Sequence, residues 1–168
     1  TIDIGTHAFS NCEYLTHVFI PRELVIIEHP IFSGCSSLTS ISVDRDNPKF
    51  DSREDCNAII ETATNRLILG CQNTIIPDTV TSIGSLAFYQ CSSLTILEIP
   101  NSVNSIGSYA FSTIGSLIYN TFDNGLYLGN KNNPYVILIK TVNTFITSCE
   151  INENTKFIHD NAFYGCDD

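Results

Sequence analysis

The chain has 168 residues, a mass of 18.6 kDa and 43% apolar residues, enough to bury a sizeable core in one domain without structural metals. Its 18 acidic residues against 8 basic ones leave a net charge of −10, which excludes the basic stripe that nucleic-acid binding requires. No apolar run approaches the ~18 residues of a membrane-spanning helix, and no basic-then-apolar leader is legible at Thr1, so any secretion signal has been removed or lies outside this sequence.

Read in chain order, the first element is a repeat. Ile4, Ala8-Phe9, Cys12, Leu15, Val18 and Ile20 recur at an offset of 23 as Ile27, Ile31-Phe32, Cys35, Leu38, Ile41 and Val43. After an interruption the columns return as Ile83, Ala87-Phe88, Cys91 and Leu94, then 23 residues later as Ile106, Ala110-Phe111, Ile114 and Leu117. A second interruption precedes Ile158, Ala162-Phe163 and Cys166. A unit this short cannot bury its apolar side alone, so the copies must stack with like columns over one another. Leu94, Leu97 and Ile99 alternate as a strand does, and proline (Pro21, Pro100) ends that strand because it has no N–H for the next rung. Val80 to Ile83 reads as a second short strand on the opposite wall. There the segment Gly84 to Cys91 reads as one helical turn facing Ala87 and Phe88 inward. The expected architecture is a right-handed, β-rich solenoid of about six rungs, with a parallel sheet on one face. Phe9, Phe32, Phe88, Phe111 and Phe163 should form one buried column.

The interruptions read as variant coils. Within 44–75 an acidic loop leads into a hairpin, Asn57–Thr62 and Asn65–Gly70, around Ala63-Thr64. A two-residue turn there sets Cys56 opposite Cys71, so a cross-strand disulfide is geometrically open to them if that register holds. Within 123–148 a second hairpin joins Gly125–Gly129 to Tyr135–Ile139. The acidic loop lacks a calcium-binding register and its arginines compete for the carboxylates, so it reads as a solvated connection.

Little of this pattern supports chemistry. Cys12, Cys35, Cys91 and Cys166 fill a repeat column as small buried thiols, Cys149 has no evident partner, and no C-x-x-C or H-x-x-x-H spacing exists. No metal or cofactor is expected. His7, His17, His29 and His159 fall on different coil positions, and there is no G-x-S-x-G elbow or glycine-rich phosphate loop, so no enzyme is expected. The sheet face is the remaining candidate. Period-two alternation turns His17 and Phe19, Ser40 and Ser42, Ile96 and Glu98, and Tyr119 and Thr121 away from the core. A structural spacer or stalk, the alternative reading, would carry only polar residues there. Phe19, Ile96 and Tyr119 are large, so the candidate partner-binding set is His17, Phe19, Ile96, Glu98, Tyr119 and Thr121. Phe19 and Tyr119 serve as anchors, and Glu98 with the net negative charge favours a basic partner surface.

The run from Val80 to Pro100, with its Ile83-Gly84, Ala87-Phe88, Cys91, Leu94, Leu97 and Ile99 columns, closely resembles the BspA-like, or Treponema pallidum type, class of leucine-rich repeats. The resemblance extends over essentially the whole chain, hairpins included. It implies a leucine-rich repeat solenoid of a secreted or cell-surface bacterial protein, with protein partners on host matrix or another cell surface and an adhesin-like role. Glu28 and His159 depart from the glycine column, Ile114 from the cysteine column, and Asp44 and Asn152 from the strand-ending proline. The chain stops before the Leu position of its last unit. The expectation is therefore one domain over 1–168 within a longer array, or an oligomer through that incomplete coil.

Overall fold

The computed structural model describes residues 2–28 and 30–166. Its elements run β1 (Ile2–Ile4), β2 (His17–Ile20), β3 (Leu24–Ile27), β4 (Ser40–Val43), β5 (Phe50–Asp51), a 3-10 turn (Arg53–Asp55), β6 (Ala58–Glu61) and β7 (Arg66–Gly70). They continue as β8 (Ser82–Ile83), β9 (Ser105–Ile106), β10 (Asn120–Phe122), β11 (Gly125–Leu128), β12 (Ile137–Thr141) and β13 (Phe157–Ile158). The stacked columns are those of the repeat. β2 pairs in parallel with β4, Val18 to Ile41 and Ile20 to Val43, so equivalent residues of successive coils are neighbours. On the opposite wall β1 pairs with β3 and β8 with β9, again in parallel, the latter from Ile83 to Ile106. The fold is a leucine-rich-repeat-type β-solenoid whose buried core divides into two main clusters, one around Val18, Phe32 and Leu69 and one around Leu67, Phe88 and Ile137, with a smaller one at Tyr127, Leu138 and Ala162.

The turn wall differs from the expected helical turn. Leu86, Tyr109, His7 and Asn161, each just before the Ala-Phe pair, have positive φ, as do Gln90, Thr113 and Asn11 four residues on, where two other coils place Gly34 and Gly165. A helix would direct every amide back along its own segment. Here the left-handed residues turn alternate amides toward the next coil: Leu86, Phe88 and Gln90 donate to the carbonyls of Ser108, Ala110 and Ser112 at 3.1, 2.9 and 3.3 Å. His7, Phe9 and Asn11 repeat the pattern onto Pro30, Ile31 and Ser33. Ladder bonds between coils outweigh the local cost of left-handed backbone at non-glycine residues. The departures from the glycine column leave this wall intact, because Glu28, Gly84, Gly107 and His159 all donate their amides to the preceding coil at 2.8–3.0 Å.

Each interruption is a coil built from antiparallel strands. In the first, β5, β6 and β7 form a meander, and β7 then pairs in parallel with β8 while β6 lies beside β4. The second repeats the plan: β10, β11 and β12 form a meander and β12 pairs in parallel with β13. This meander starts at Asn120, before the expected 123 boundary, because Asn120 stands where the repeat requires a buried Leu and the chain leaves the coil register there. The same diversion removes a partner from the fourth coil. Its 94–99 segment, expected as a strand, runs extended without a regular ladder; toward the following coil Ile99 N–H donates to the Gly129 carbonyl, 2.9 Å, the Ile99 carbonyl accepts from Asn130 Nδ2, 2.7 Å, and the Thr95 carbonyl accepts from Ile118 N–H, 2.8 Å.

The phenylalanine column is also divided. Phe9 lies over Phe32 with ring centroids 5.3 Å apart, and Phe88 stacks on Phe111 at 5.8 Å and 14°. β7 separates the two pairs, for the Phe88 ring covers Gly70 so closely that any Cβ there would overlap it. Phe163 leaves the column and is 39% exposed. His159 takes its place against Phe111 at 5.8 Å.

Candidate partner-binding face

Strand alternation places the site. On β2, Val18 and Ile20 are buried while His17 is exposed and Phe19 is 54% exposed. In the fourth coil Leu97 and Ile99 are buried, Ile96 is 67% exposed and Glu98 is exposed. Thr121 is exposed but belongs to the β10–β11 ladder, opposite Leu126, rather than to a coil strand.

Tyr119 corrects the expectation. It is half-buried, packs on the core, lies under the Lys140 ammonium at 5.2 Å from its ring, and burial raises its phenol above the usual range. The reason is a change of phase. With Asn120 unable to enter the core, Tyr119 turns inward, and Ile118, 67% exposed, takes the outward place beside Thr95. Ile75 was the other residue missing from the expected set. It precedes the buried strand-end Ile76 as Phe19 precedes Ile20, so the repeat columns already assign it outward, and it is 73% exposed.

Ile75 and Ile96 line one groove of about 680 Å³ together with Pro100, with Asp78 and Glu98 as its two carboxylates and Lys131 from the second hairpin loop. Ile118, also exposed, lies on the following coil, where its N–H bonds the Thr95 carbonyl next to Ile96. The arrangement is an apolar, weakly acidic face. His7 Nδ1 does lie 3.0 Å from Ser10 Oγ, but the pair sits exposed within one turn and no third group orients the ring among the described residues. His29 lies outside the described residues.

The repeating coils find a match. The sequence profile of the BspA type leucine rich repeat region covers residues 1–59, 68–133 and 140–168 in six copies. The chain belongs to the BspA-type leucine-rich repeat family. Among solved structures this BspA-type chain is similar to the pneumococcal vaccine antigen PcpA, with 21% identity, a TM-score of 0.62 and 97% of the chain covered. It is also similar to a leucine rich cell surface protein of Faecalibacterium prausnitzii A2-165, with 26% identity, a TM-score of 0.52 and 90% covered. It spans 40% of the length of each. No curated protein matches it at a significant level.

In the cysteine column of the BspA-type repeat Cys35 is buried and Cys91 and Cys166 are partly so, but Cys12 is exposed, against the expectation of a uniformly buried thiol column. Cys56 and Cys71 are free, because a bulge between Ile59 and Ile60 shifts the hairpin register from Ile60–Leu67 to Ile59–Leu69 and takes the two cysteines off a common rung. Instead of bridging, Cys71 Sγ contacts the Asn57 carbonyl at 3.3 Å and Cys56 Sγ the Ala58 carbonyl at 3.8 Å. Burial pushes the Cys56 thiol up to about 11 and the Cys91 thiol up to about 12, and raises Cys35 and Cys71 as well. Since the thiolate is the reactive form, a disulfide-exchange dye at about pH 8 should label exposed Cys12 first and these four only on unfolding. Rapid labelling of Cys91 in the folded chain would contradict its packing.

His159 is buried with its Nε2 unpartnered among the described residues, and desolvation lowers its pKa below the usual 6.5 despite neighbouring Asp160. The unfolded chain therefore takes up the proton at a higher pH than the native state does, and stability declines as pH falls through 6.5. Urea midpoints measured from neutral to mildly acidic pH should fall more steeply for the wild type than for His159→Gln. Parallel curves would remove His159 as the cause.

Proposed function

We propose that this chain is a protein-binding module of a bacterial cell-surface protein and engages its partner through the sheet face. The observation that carries the reading is the run of exposed isoleucines Ile75, Ile96 and Ile118, with Phe19 on the same outward alternation. A spacer has no use for large apolar side chains in water, whereas contiguous apolar patches mark interaction surfaces. The Faecalibacterium relative is described as a cell surface protein and PcpA as a vaccine antigen, which supports surface display here. The acidic balance favours a partner with basic groups around an apolar centre. The test is retention of the chain on immobilised extracellular matrix proteins, compared with a Phe19→Ser, Ile96→Ser, Ile118→Ser variant. Exposed sites of this kind change stability by only about 0.5 kcal/mol, so the variant should keep its urea midpoint and lose retention. Failure to bind any matrix protein, or binding that the variant leaves unchanged, would favour the spacer reading.

A further inference from the structure

The groove beside the fourth coil has a feature that a generic apolar patch lacks: it is bounded by strand-like backbone without a partner. Ile99 donates to the following coil and Thr95 accepts from it, so residues 95, 97 and 99 direct their main-chain groups that way. Period-two geometry then turns the N–H and C=O groups of Ile96 and Glu98 toward the preceding coil. Across the groove stand Thr74, Ile75 and Ile76. No hydrogen bond joins the two segments, and the amides of Ile76, Ile96 and Glu98 donate to no protein group among the described residues. Neighbouring coils elsewhere are closed by such bonds, as between β2 and β4.

Resting on the binding role proposed above, we infer that this groove takes an extended peptide segment of the partner by strand addition, with apolar side chains alternating with basic ones. Main-chain bonds to Ile96 and Glu98 give the segment its direction, and its alternate side chains fall on one side against Ile75 and Ile96. The rim selects charge: Asp78 and Glu98 set two carboxylates against the single ammonium of Lys131, in a chain of net charge −10. An acidic segment would meet like charge, and an uncharged one would forgo it.

The probe is a fluorescent, end-blocked peptide of about eight alternating valine and lysine residues, together with two versions N-methylated on alternate residues, one for each strand edge. Saturable binding is expected. Methylation of at least one edge should weaken it about tenfold, the equivalent of one or two lost main-chain bonds. Ile75→Asp and Glu98→Lys, both at exposed sites, should weaken it comparably, and a glutamate-for-lysine peptide should not bind. Equal binding by the parent and both methylated peptides would overturn strand addition, as would absence of saturable binding. Self-association that Ile75→Asp abolishes would assign the groove to a second copy and overturn the peptide. Phe19→Ser with Ile118→Ser lies outside the groove and should leave peptide affinity unchanged. Matrix retention that depends on Phe19 and Ile118 while the peptide fails would retire the groove alone; a peptide that binds while matrix retention fails would retire the matrix partner alone.

Discussion

Phe88→Ala is expected to destabilise the chain by about 3–5 kcal/mol, the range for a truncated, fully buried phenylalanine. The Phe88 side chain is entirely buried, stacks on Phe111 at 5.8 Å and covers Gly70 of the preceding coil. Its loss opens a cavity between the first hairpin coil and the fifth-coil turn. In a solenoid each coil contacts only its neighbours, so no distant packing compensates. Urea unfolding should show a lower midpoint with an unchanged slope. A wild-type midpoint would mean that Phe88 does not join these coils. Phe163→Ala, by contrast, removes a ring that is already partly in water and should cost far less.

Gly107→Ala should be among the more damaging of the single-methyl additions, and it is the one that tests coil-on-coil contact. Gly107 passes so close to the Ser85 turn that a Cβ would overlap the Ser85 amide nitrogen and lie 2.7 Å from its Cα. These are backbone atoms that cannot rotate away. Accommodation must shift one coil against the next and strain the Gly107 N–H bond to the Ile83 carbonyl, now 2.8 Å. Overpacking of this kind costs about 1–3 kcal/mol, occasionally more. Gly115→Ala is the control, for nothing lies within 4 Å of a Cβ there. Equal midpoints for the two variants would contradict the close approach of the fourth and fifth coils.

What the amino-acid sequence determined by itself is the stacking. Apolar columns at an offset of 23 from Ile4 to Val43 can be buried only by placing like on like, and β2–β4 pairing has that register. The hairpins were legible for the same reason, since Ala58–Glu61 and Arg66–Gly70 are apolar runs bounded by turn residues. The outward positions of Phe19, Ile96 and Glu98 followed from alternation alone. Tertiary structure decided what depends on a neighbouring coil. The Ala-Phe segments carry residues suited equally to a helical turn, and only bonds such as Phe88 N–H to the Ala110 carbonyl select the left-handed alternation. A bulge at Ile59–Ile60, invisible in residue types, separates Cys56 from Cys71. Asn120 reverses the phase that would have turned Tyr119 outward and brings Ile118 to the face instead. Even the groove depends on departure from the repeat, because the fourth-coil segment is left without bonds to the preceding coil where both neighbours are diverted by hairpins, and hydrogen bonding between coils is a property of their separation rather than of either sequence.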